Sequence, residues 1–95
     1  MTATPAQVAN DLAAQAAWWG GRDEDLARTC RDTCRLIRAL DAGEHVQGRS
    51  YEGVHARLAQ MVHRYSIGPQ HDSQIARSLR RACATLQAQW GGVQA

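Results

Sequence analysis

Between residues 28 and 38 the chain reads RTCRDTCRLIR, four arginines and two cysteines in eleven residues. Two chemistries are available to such a stretch. A thiolate can hold a soft metal or attack an electrophile, and a guanidinium fork can grip a carboxylate or a phosphate. At about 100° per residue, Cys30 and Cys34 share a helical face with Leu26, Ile37 and Leu40. Arg28, Arg31, Arg35 and Arg38 then form a stripe about 80° wide, which reads as lying opposite the cysteines. Glu24 stands four before Arg28. Asp32 stands four after Arg28 and three before Arg35, so both acids are spaced to answer part of the arginine charge along the helix.

The third cysteine, Cys83, falls on the apolar flank of a later helix, and His55 on the edge of another. Three thiols and one imidazole could meet inside a bundle as soft ligands for zinc or copper. No Cys-x-x-Cys knuckle is present, and a free cysteine packs as a small hydrophobe. The expectation is therefore buried packing thiols, with no metal and no cofactor. The other histidines do not converge: His45 and His71 lie in or beside loops, and His63 points away from the apolar stripe of its helix.

Catalysis needs a nucleophile, a base and an orienting group brought together. The chain has no nucleophile elbow, no glycine-rich phosphate loop, no paired histidines on a helix and no inward-facing carboxylate pair. A non-enzymatic protein is expected. Binding residues remain. Arg77, Arg80 and Arg81 share the solvent face of the last helix, which has no acid after Asp72. Trp18 points about 100° away from Trp19, so only one of the two can face the core. Trp18 is either the edge cover of the bundle or an exposed aromatic anchor for a partner.

The elements that must position these residues are legible in the punctuation. Thr4-Pro5 opens a first helix, in which Val8, Leu12, Gln15, Ala16 and Trp19 recur at helical spacing until Gly20-Gly21. Asp23, Glu24 and Asp25 start a second helix, which runs to about Ala42 with Gly43 as its cap. Residues 43–49 read as a loop, and Ser50 as the N-cap of a third helix. That helix carries the stripe Tyr51, Val54, Leu58, Met61 and Tyr65. Gly68-Pro69 ends it. A fourth helix starts between His71 and Ser73, presents Ile75, Leu79, Ala82, Leu86 and Trp90, and stops at Gly91-Gly92. Its sequence, SQIARSLRRACATLQAQW, resembles the opening of a helix-turn-helix unit, with Ile75, Ala76, Leu79 and Leu86 at packing positions. Arg80 stands where that turn carries glycine, so one continuous helix is predicted. Nothing alternates with period two, so strands are not expected.

Ninety-five residues with 44% apolar content fit one domain, residues 1–95, built as a small all-α antiparallel bundle of four helices. All eleven basic residues are arginine, and the formal net charge is +2. The charge is uneven: residues 1–48 hold five arginines against seven acids, and residues 49–95 hold six against two. MTATPAQVAN shows no signal-peptide pattern, no apolar run approaches the ~20 residues of a membrane span, and three cysteines make a poor disulfide framework. A cytoplasmic location follows as the expectation.

The function expected is a protein-interaction module, an inhibitor or adaptor of the kind encoded by bacterial phages or mobile elements. Its partner would be a protein with an acidic surface, met by Trp18 and the arginines of helices two and four. Nucleic-acid binding through helix four is the alternative, and a thiol/histidine metal bundle the second alternative.

Overall fold

The computed structural model describes residues 3–67 and 73–94. Among them are four helices and no strand: α1 Pro5–Trp19, α2 Glu24–Asp41, α3 Gly48–Ser66 and α4 Gln74–Gln94. The helices form the expected all-α bundle. α1 packs chiefly on α2; α3 joins α2 to α4, α4 closes back onto α1, and α2 also touches α4 across the middle.

The helix starts show why these segments fold locally. Thr4 and Gln7 make a reciprocal capping box with Pro5 at the first position of α1. Gly21, at φ +84°, takes the left-handed conformation within the α1–α2 connection. Asp23 caps α2, its Oδ1 accepting from the Leu26 amide at 3.1 Å. At the other end of α2, Gly43 has φ +75°. Its amide donates to Leu40 O at 3.1 Å and the Glu44 amide donates to Ala39 O at 3.0 Å, a Schellman closure. Ser73 caps α4, its Oγ accepting from the Ala76 amide at 3.3 Å.

Two boundaries differ from the sequence expectation. Ser50 is not the N-cap of α3, because the helix already begins at Gly48, after an extended Gln47 whose side chain makes no cap bond. Gly48 lies beside Trp90 of α4, whose Cζ2 would be 3.9 Å from a Cβ at that position, an ordinary packing distance. Gly91-Gly92 does not end α4 either. Neither glycine adopts positive φ, and the helix continues to Gln94. A glycine weakens a helix by about 1 kcal/mol relative to alanine but does not break it. The proposed break at Gly68-Pro69 and the His71 edge of α4 lie outside the described residues.

The core is aliphatic. Leu12, Leu26, Ile37, Leu58, Leu79 and Leu86 are fully buried and bring all four helices to one centre. Trp19 and Trp90, which the helical spacing places on the apolar faces of α1 and α4, are only partly buried and pack against this core. Trp19 meets Tyr65 edge-on at 5.7 Å between ring centroids, and Trp90 stacks parallel on Tyr51 at 4.4 Å and 4°. No helix among the described residues is long and apolar enough to cross a membrane.

Candidate functional site

The residues that the sequence singled out occupy separate surfaces. Arg77, Arg80 and Arg81 lie exposed on α4, and Arg80 reaches across to α3, donating to Ser66 Oγ at 3.0 Å. Trp18 is 59% exposed, and the Arg22 guanidinium lies over its ring, 4.1 Å from the centroid. Arg22 also donates to the Trp18 carbonyl oxygen. Trp18 therefore carries a cation–π cover from its own chain. It lines a hollow with Gln15, Ser73 and Ile75, between α1 and the start of α4.

Arg31, Arg35 and Arg38 line a groove of about 560 Å³ between α1 and α2. Its other walls are Ala13, Ala16 and Ala17 of α1 and Cys34 of α2. Cys34 is thus not opposite these arginines; it lies on the floor between them and α1. Helical geometry accounts for the correction, since four residues advance only about 40° beyond a full turn, which puts Arg38 beside Cys34. Arg38 leans onto α1, its Nη2 donating to Asn10 Oδ1 at 3.1 Å. Arg28 stands apart, in a smaller polar hollow between α2 and α3 that it shares with Asp25, Arg57 and Arg64.

Neither acid that was spaced to answer the α2 arginines does so. Asp32 pairs with Arg57 of α3 at 3.2 Å. Glu24 turns back, its Oε1 accepting from the Gly21 amide at 2.6 Å. Among the described residues, Arg28, Arg31, Arg35 and Arg38 form no ion pair. Within the groove, Glu44 at one end is the single acid against three guanidiniums.

The four candidate metal ligands are not assembled. No three histidine, cysteine or acidic side chains among the described residues form a group able to hold a metal. Cys83 Sγ lies 3.6 Å from His55 Nε2, and this pair is the only one of the candidates in polar contact. Burial raises the Cys83 thiol above its ordinary value, which opposes thiolate formation. Burial pushes the Cys30 thiol up to about 12, and nearby Asp11 adds to the effect. All three cysteines are free.

One polar constellation escaped the sequence reading. Asp23 Oδ2 accepts from the Tyr65 hydroxyl at 2.6 Å and from Arg64 Nη1 at 3.4 Å, while its Oδ1 caps α2. The Tyr65 bond is the main cause that holds the Asp23 carboxyl below its ordinary value; burial opposes it, and the Leu26 amide and Arg64 add to the lowering. Burial, and after it the bond to Asp23, push the Tyr65 hydroxyl up to about 12, so it stays a donor. The cluster reaches α1 through Trp19, whose indole N–H donates to the buried Gln15 Oε1 at 3.2 Å. Its sequence signal was only an acid at a helix start and a tyrosine forty-two residues later.

Set against models of known protein families, curated proteins and solved structures, the chain has no match in any of the three comparisons.

Proposed function

We propose that this chain is a small, non-enzymatic binding module whose partner is a protein with an acidic surface. One observation carries the reading: the α2 arginines stand exposed without an ion-pair partner among the described residues, because Glu24 and Asp32 are engaged elsewhere. Exposed guanidiniums that the fold does not neutralise favour an anionic partner and speed its encounter. The α4 arginines Arg77, Arg80 and Arg81 and the exposed ring of Trp18 offer further contact points.

A non-catalytic role is supported by the chemistry of the Cys83–His55 contact, since the Cys83 thiol is raised and not lowered. Three free thiols suit a reducing compartment, which for this module would be the cytoplasm of a bacterium. An inhibitor or adaptor carried by a phage or mobile element is the biological role that such a small, arginine-faced bundle fits.

The test is capture from a bacterial lysate on the immobilised chain, with Arg31→Glu/Arg35→Glu and Arg77→Glu/Arg80→Glu as controls. The expected result is one protein held by the native chain, lost by one double variant and indifferent to nuclease. Loss of the captured material on nuclease treatment, with a steep fall in retention as salt rises, points instead to nucleic acid held by α4. Stoichiometric zinc or copper in the purified chain would favour the metal bundle.

A further inference from the structure

Resting on that reading, we infer that the α1/α2 groove is the docking site, and that its occupant is an acidic amphipathic helix of the partner protein. The two walls of the groove differ in kind. The α2 wall is a row of guanidiniums at positions 31, 35 and 38, two helical turns that span about 10.5 Å. The α1 wall is alanine, at positions 13, 16 and 17, and Cys34 forms the floor. Asp11, the one charged residue of α1, lines a different hollow with Trp18, so the only acid in the groove is Glu44 at one end, against three guanidiniums.

Each half asks for something different of a ligand. Alanine walls let a helix approach to the roughly 8 Å axis separation that small side chains permit. They offer no donor to a sugar or a phosphate, so a nucleic acid would leave that wall unmatched. The arginine row has the i, i+4, i+7 spacing of a single helix face, and acids at the same spacing on a docked helix meet it in register. Arg38 is already oriented over the groove by its bond to Asn10, which lowers the ordering cost of one of the three contacts.

A second copy of this chain is a poor occupant. Its nine acids place no three at that spacing on one helix, and Asp23 and Asp32 are already paired with Arg64 and Arg57. Charge complementarity therefore selects a different protein.

The test uses the isotope-labelled full chain and a designed probe. The probe is a helical peptide of roughly 20 residues, built on alanine and leucine, with glutamates at i, i+4 and i+7. Its control has lysines in their place. The expected result is saturable binding of the glutamate peptide alone, with amide shift changes centred on Ala13, Ala17 and Arg35. Arg35→Glu should weaken it at least tenfold. Ala17→Trp fills the groove but keeps every arginine, and it should weaken binding as much. Arg77→Glu should not change it. Bound peptide should also slow the reaction of Cys34 with a thiol reagent. Unchanged binding in Ala17→Trp would show that charge alone attracts the peptide and would overturn the groove. Shift changes at Arg77, Arg80 and Arg81 would move the site to α4 and leave the binding-module reading intact. No response at either surface up to ~1 mM peptide removes both. A single-stranded oligonucleotide that outcompetes the peptide in the groove would replace protein with nucleic acid.

Discussion

The hydroxyl of Tyr65, at the last turn of α3, donates a 2.6 Å hydrogen bond to Asp23, the residue that caps α2. One carboxylate thus holds the start of one helix and the end of another, and Arg64 neutralises it at 3.4 Å. Bonds to an ionised acceptor are stronger than neutral ones. Tyr65→Phe should cost about 1–2 kcal/mol and Asp23→Ala about 2–3 kcal/mol, because the latter removes the cap as well. The Asp23 carboxyl titrates below its ordinary 3.8 when folded. Its stabilising contribution is therefore complete above the unfolded value and declines as pH falls below it through the lower folded value. Urea titrations between neutral and acid pH should show a steeper acid loss for the native chain than for Tyr65→Phe. Parallel curves would show that the bond does not couple to protonation.

Thr33 is fully buried in α2, and its hydroxyl has no hydrogen-bond partner. An orphan buried hydroxyl is a cost that a methyl group avoids, and valine and threonine have similar helix propensities. Thr33→Val should raise stability by about 1 kcal/mol, seen as a higher urea midpoint with an unchanged slope. A lower midpoint would mean that the hydroxyl does find a partner in solution.

Trp90 and Trp18 should separate by environment. Trp90 is half-buried in a parallel stack with Tyr51, whose ring also stacks with His55 at 5.5 Å. Trp90→Ala should cost about 2–3 kcal/mol, below the range for a fully enclosed aromatic. Trp18 is 59% exposed with Arg22 over its ring, and Trp18→Ala should cost no more than about 1 kcal/mol. Equal losses at the two sites, measured by thermal or urea unfolding, would contradict this packing.

Thiol reactivity should rank Cys83 first, then Cys34, then Cys30. Cys83 is partly exposed, Cys34 is 5% exposed on the groove floor, and Cys30 is wholly enclosed with its thiol pushed up to about 12. Mass spectrometry of the native chain with a slow alkylating reagent reads the order directly. Early modification of Cys30 would show that the α1–α2 contact opens readily.

Reversing charge at Arg31 and Arg35 should leave stability within about 0.5 kcal/mol, since neither makes an ion pair among the described residues. Arg57→Glu should cost more than either, because it breaks the interhelical bridge to Asp32 and sets two acids against each other. The comparison needs only parallel denaturation curves.

What the amino-acid order determined by itself is local. The Thr4-Pro5 start, the Asp23 cap, the Gly43 closure and the leucine stripes act over three to five residues, so the four helices and the faces they bury were legible in the chain. The start of α3 and the end of α4 differ from the local signals: α3 opens at Gly48 with no side-chain cap bond, and α4 runs through Gly91-Gly92 to Gln94. The charge partners differ because packing between helices sets them. Spacing along α2 assigned Asp32 to Arg28 and Arg35, yet only the packed bundle could bring Arg57, twenty-five residues away, to 3.2 Å from it. That exchange leaves the α2 arginines unanswered, and the docking of α1 beside them turns an exposed stripe into a groove with an alanine wall. A helix face is a property of its own sequence. A groove belongs to two helices, and its charge depends on which acids the rest of the fold has drawn away.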